Sequence, residues 1–108
     1  MRSWLAALVF ALGATGTQAD NTVQAFGIGA KSCAYWLSGP EHEADGRSWA
    51  LGFWTAYNNL NGVSHLVGVK SHAEAILAEI KESCLAEPSM SLGETVARAY
   101  ERFLQNGK

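Results

Sequence analysis

SWALGFWTAYNNLNG, residues 48–62, packs two tryptophans, a phenylalanine and a tyrosine into nine positions and holds no acid, base or histidine. On a helical wheel Trp49, Phe53, Tyr57 and Leu60 fall on one face with Ala56 beside them, and Asn58 and Asn59 fall opposite. That period is the signature of an amphipathic helix. Ser48 is a suitable N-cap and Asn61-Gly62 a suitable end. A small domain needs apolar area, and each large aromatic side chain buries on the order of 150–250 Å². Trp49, Phe53 and Tyr57 are therefore expected in the core. Trp54 lies at the edge of the arc and Leu51 outside it. If these two and Trp36 are partly exposed, they form an apolar patch of the kind that marks a partner surface. Trp36, Leu51 and Trp54 are thus the candidate protein-binding residues.

Upstream, EHEADGR (41–47) is polar and ends in Asp-Gly, so it reads as a loop. SCAYWLSGP (32–40) sets Cys33, Trp36 and Leu37 at helical spacing before Gly39-Pro40, which predicts a short helical turn stopped there. TVQAFGIGA (22–30) predicts an extended lead-in or weak strand.

Downstream, VSHLVGVK (63–70) reads as a loop with some extended character. Ser71 to Glu74 has the spacing of a capping box, as does Ser91 to Glu94. The first opens a helix with Ala73, Ile76, Leu77, Ile80 and Cys84 on one face, closed by Glu87-Pro88. The second opens a helix with Leu92, Val96, Ala99, Tyr100 and Phe103 on one stripe and Arg98, Glu101 and Arg102 on the far side. The predicted fold class is all-α: a small bundle of three main helices and a short N-terminal helical turn, stapled by one disulfide.

The N-terminus predicts export. Arg2 precedes an apolar run from Leu5 to Ala14, and Thr17-Gln18-Ala19 offers small residues at a cleavage site. Residues 1–19 read as a signal peptide, with a single domain over 20–108 beginning near Asp20. The run is too short to span a bilayer, which takes roughly 20 residues. No cysteine sits immediately after the cleavage site, the first being Cys33, which argues against a lipid anchor. The expected location is periplasmic or secreted. In such a compartment two cysteines, Cys33 and Cys84, read as a disulfide. Closing so long a loop is worth roughly 4 kcal/mol in the chain-entropy model.

Cleavage leaves seven Lys or Arg against ten Asp or Glu, a net charge of about −3. That balance, with no basic cluster, offers no grip on nucleic acid. Gly27 to Ser32 ends like a phosphate loop, but Ala25 and Ala30 stand where the pattern needs glycine. His42, His65 and His72 form no metal motif. His42, among Glu41, Glu43 and Asp45, reads as part of a solvated acidic loop, and His72 as an exposed ring in a helix's first turn. No GxSxG or free cysteine supplies a nucleophile. The expectation is a non-enzymatic protein with no cofactor and no metal.

The order of Cys33, an aromatic-rich helix carrying Gly52-Phe53 and Asn58-Asn59, Cys84 closing a helix, Pro88 and a last amphipathic helix resembles the HdeA/HdeB family of small periplasmic acid-stress chaperones. The likeness runs from Ser32 to Phe103. It implies an all-helical fold and one disulfide between the segments holding Cys33 and Cys84. It also implies a homodimer at neutral pH that opens in acid and offers apolar surface to unfolding clients. Family members carry lysine-rich ends, whereas this chain ends in RFLQNGK. In strong acid the side chains of the processed chain sum to about +10, so self-repulsion would loosen the domain. A second expectation, from a different class, is a dedicated interaction protein, such as a Rap1a-type periplasmic immunity protein neutralising a secreted toxic enzyme. A third is an accessory envelope protein with no client.

Overall fold

A computed structural model describes residues 25–62 and 66–108. The expected signal peptide, the start of the lead-in and His65 lie outside these residues. The described elements are a 3-10 turn at Gly27–Ala30 and four helices, α1 (Cys33–Trp36), α2 (Pro40–Leu60), α3 (Ala73–Ala86) and α4 (Leu92–Gln105). The fold is all-α, with three long helices, one short helical turn and one disulfide, as the sequence predicts.

The ends of α1 and α4 follow local chemistry. Ser32 Oγ accepts from the Tyr35 amide at 3.1 Å and caps α1. Ser91 Oγ accepts from the Glu94 amide at 3.1 Å and caps α4, satisfying an amide that the first turn leaves without a partner. The two caps lie side by side, joined by an antiparallel bridge between Ser32 and Ser91. Cys33 N–H donates to Met90 O and Leu92 N–H to Lys31 O, both at 2.8 Å. This short backbone seam brings Cys33 against α3, where it is bonded to Cys84 with a Cα–Cα distance of 5.0 Å. Both cysteines are fully buried.

The core is filled from all sides of that link. Ile76, Leu77 and Ile80 of α3 meet Leu92, Val96, Ala99, Tyr100 and Phe103 of α4, with Trp36, Ala50, Trp54, Ile28 and Val67 completing the cluster. The apolar rows predicted for α3 and α4 are the buried rows, except that Ala73 is exposed.

Three expectations are corrected. Residues 41–47 are not a loop but the first two turns of α2, and Gly39-Pro40 starts that helix rather than ending α1. Proline at the first helical position lacks an N–H that would have no partner there anyway, and Glu41 and Glu43 suit the positive end of the helix dipole. The Asp-Gly pair sits mid-helix because Gly46 packs under Trp36: a Cβ at Gly46 would overlap the indole ring. Ser48 is consequently a helix-interior residue. Residues 27–30 form a 3-10 turn rather than a strand. The Ser71 capping box does not form. α3 begins one residue later, with His72 at the N-cap and making no side-chain cap bond. The Glu74 carboxylate is instead taken by Arg47 of α2.

Candidate functional site

α2 presents two rows of side chains with opposite fates. Gly46, Ala50 and Trp54, spaced four apart, face inward and are buried. Trp54 is 4% exposed, donates its indole N–H to Val67 O at 2.9 Å, and meets Tyr100 and Phe103 edge-on. Trp36, 1% exposed, donates its indole N–H to Glu43 O at 3.0 Å. Leu51 is half-buried against the core. The surface patch expected from Trp36, Leu51 and Trp54 is therefore corrected: both indoles are core groups, Trp36 packed on Gly46 and Trp54 on Gly68, where an added Cβ would crowd each ring.

The row expected inside lies at the boundary. Trp49 and Phe53 are half-buried, Tyr57 is 41% exposed and Leu60 79% exposed. Trp49 stacks on Phe53 with centroids 5.4 Å apart, and Phe53 on Tyr57 at 4.6 Å. Tyr57 then meets Tyr100 of α4 edge-on at 5.1 Å. At the other end Trp49 covers Gly29, where a Cβ would overlap its ring, and donates its N–H to Phe26 O at 3.1 Å. Phe26 itself is 90% exposed. An aromatic ridge thus runs along α2 to its end at Leu60, where the loop beyond adds exposed Leu66 and Val69. No Asp, Glu, Lys or Arg occurs from residue 48 to 69.

The end of the ridge is fixed by a polar clamp. The Asn58 side chain accepts from Val67 N–H at 2.9 Å and donates to Val67 O at 3.1 Å. Tyr100 Oη donates to Asn58 Oδ1 at 2.7 Å and accepts from Asn61 Nδ2 at 2.6 Å. Asn58, expected on the solvent side of α2, is half-buried here. The sequence carries no signal for this role, because the clamp requires partners nine and 42 residues away. Beside the clamp, Tyr57, Leu60, Asn61, Tyr100, Glu101 and Leu104 line a trough of about 400 Å³ between α2 and α4.

A second feature surrounds α3. Arg47 of α2 grips Glu74 with both guanidinium nitrogens, at 3.2 and 2.8 Å. Lys81 reaches Glu43 of α2 at 3.0 Å, and Glu79 receives Arg102 of α4 at 3.0 Å. The fourth ion pair among the described residues, Arg98 with Glu94, lies within α4. The hydrogen bond from Arg47, and then its charge, hold the Glu74 carboxyl below its ordinary value, while Glu74 raises Arg47.

The Ser38 hydroxyl lies 2.8 Å from His42 Nδ1. This pair is no activated nucleophile, because Ser38 gives its proton to Tyr35 O at 2.7 Å and must accept from the imidazole. His42 also stacks on Tyr35 with centroids 4.1 Å apart. Among the described residues no cluster of three His, Cys, Asp or Glu side chains is placed to hold a metal. No described helix is long and apolar enough to cross a membrane. No family model, curated protein or solved structure matches the chain.

Proposed function

We propose that the chain is a small exported, non-catalytic helical protein of the HdeA/HdeB type that holds unfolding proteins on apolar surface released in acid. The distribution of ion pairs carries this reading. Of the four ion pairs between described residues, three bind α3 to its neighbours, and each depends on a carboxylate: Glu74, Glu43 or Glu79. In strong acid carboxylates are neutral while Arg and Lys remain cationic. The Arg47–Glu74 attraction is intact above the ordinary carboxylate range and is lost as pH falls through the lowered value of Glu74. Exposed pairs are individually weak, so release depends on losing them together while the processed chain climbs to about +10. Ile76, Leu77 and Ile80, the inner row of α3, then become available to a client. The Cys33–Cys84 bond keeps the loosened helix attached, and such a bond suits an oxidising compartment outside the cytosol.

Light scattering tests the proposal. At about pH 2–3 the oxidised protein in molar excess is expected to suppress aggregation of a denaturing client protein, and to do little at pH 7. Unchanged scattering in acid refutes it. A dedicated neutral-pH partner, as in an immunity protein, is the second reading. It is favoured by the uncharged ridge, which stands exposed without any acid step.

A further inference from the structure

We infer that the trough between the C-terminal halves of α2 and α4 is a docking site, open at neutral pH, for a partner-protein segment that presents an aliphatic side chain beside an arginine or lysine. This rests on reading the ridge as a protein contact and not on acid release.

The trough has the volume of a small-ligand pocket, about 400 Å³, and its walls are largely apolar, with Tyr57, Leu60 and Leu104 around the rim. Leu60 is 79% exposed, at the end of a helix whose other large side chains are at least half covered. The polar atoms of the floor are already engaged: Tyr100 Oη and Asn61 Nδ2 bond one another, and Tyr100 Oη also bonds Asn58. A polar ligand therefore has little to gain there, and an aliphatic side chain fits.

Charge complementarity selects the neighbouring residue. Glu101 lines this trough and also a second one, of about 520 Å³, that continues across α4 past Ala97. Arg98 and Arg102, the cations nearby on α4, are paired with Glu94 and Glu79, while Glu101 takes part in none of the ion pairs among the described residues. The local charge left at the junction of the two troughs is therefore negative. The partly open ring of Tyr57 lines both cavities and adds a π-face suited to a guanidinium or ammonium group. An anionic lipid surface is disfavoured by the same carboxylate, so the occupant is a protein segment rather than a membrane.

The test uses the oxidised full chain at pH 7 as bait for a displayed random-peptide library. Enriched peptides are expected to share an aliphatic residue adjacent to Arg or Lys. The strongest of them, added to isotope-labelled protein, is expected to shift the amide resonances of Tyr57, Leu60, Glu101 and Leu104. Glu101→Lys should weaken that peptide about tenfold, the combined effect of one exposed ion pair and one cation–π contact. The same variant should select acidic peptides when used as bait. Leu60→Ser should weaken binding without altering the far-ultraviolet spectrum, since Leu60 packs little in the free protein. Glu41→Lys, the same charge change at the opposite end of α2, should leave the affinity within about twofold. Acidic peptides selected by the unmodified chain, resonance shifts away from the trough, or equal affinity for Glu101→Lys would each overturn the inference. Binding to anionic vesicles in place of peptides would also overturn it. Any of these failures leaves acid-dependent suppression of scattering at pH 2–3 as a separate result.

Discussion

The inner and outer rows of α2 differ in aromatic content and in role, and the row poorer in aromatics is the buried one. Gly46, Ala50 and Trp54 form a row of two small residues and one indole, and it is wholly buried. Trp49, Phe53, Tyr57 and Leu60 form a row of four large apolar residues, and its exposure rises toward the C-terminal end. Apolar size alone does not decide which way a helix faces. Gly46 of the inner row admits Trp36 into a close-packed centre, Gly68 beyond the helix admits Trp54, and the large residues of the outer row stack on one another at the edge. One row supports the fold, and the other is free to meet another molecule.

The two rows should respond differently to truncation. Trp54→Ala removes a buried indole and its hydrogen bond to Val67, and should cost about 3–5 kcal/mol. In a thermal melt that is a fall of roughly 15 °C or more. If Trp54→Ala melts with the unmodified protein, the inner row is not the core. Gly46→Ala should come next. The added methyl group overlaps the Trp36 ring, an overpacking cost of about 1–3 kcal/mol, which the better helix propensity of alanine offsets by about 1 kcal/mol. A stabilised Gly46→Ala protein would mean that Trp36 does not rest on this glycine. Tyr57→Ala, on the outer row, loses ring contacts with Phe53 and Tyr100 and should cost about 0.5–1.5 kcal/mol by urea denaturation. A loss as large as that for Trp54 would erase the distinction between the rows.

Arg47→Gln should have the smallest effect and is diagnostic through its pH dependence. It removes the grip that lowers the Glu74 carboxyl. Its urea midpoint should fall slightly below that of the unmodified chain at pH 6, and the two should converge as pH drops through the folded value of Glu74. A gap that persists at pH 2 would place the contribution of Arg47 in packing rather than charge.

Much of this architecture was legible in the sequence. The rows of α3 and α4 repeat at helical spacing without competition from a second apolar row, and Ser91 sits where a cap is needed. Cys33 and Cys84 were the only candidates for a crosslink. The phase of α2 was not legible. A helical wheel weights Trp49, Phe53, Tyr57 and Leu60 heavily and gives glycine and alanine almost nothing, yet the close approach of Trp36 requires Gly46. That requirement appears only once α1 has folded back onto α2. For the same reason Asp45-Gly46 read as a turn. The Ser71 box does not form because α3 starts one residue later, with His72 at the N-cap, and Glu74 pairs with Arg47, 27 residues away. The candidate site was legible as a stretch and not as a surface: the sequence singled out residues 48–62 but assigned the buried Trp54 to the outside and the partly open Tyr57 to the inside.

The central functional claim is that acid loosens α3 first while the disulfide retains it. Hydrogen exchange on the oxidised protein, compared at pH 7 and about pH 3 after correction for intrinsic rates, measures this directly. The α3 amides, residues 73–86, are expected to lose protection in acid ahead of those of α4, residues 92–105, with mass spectrometry still finding Cys33 and Cys84 bonded. Equal loss across both helices, or an α3 as protected at pH 3 as at pH 7, would contradict the account.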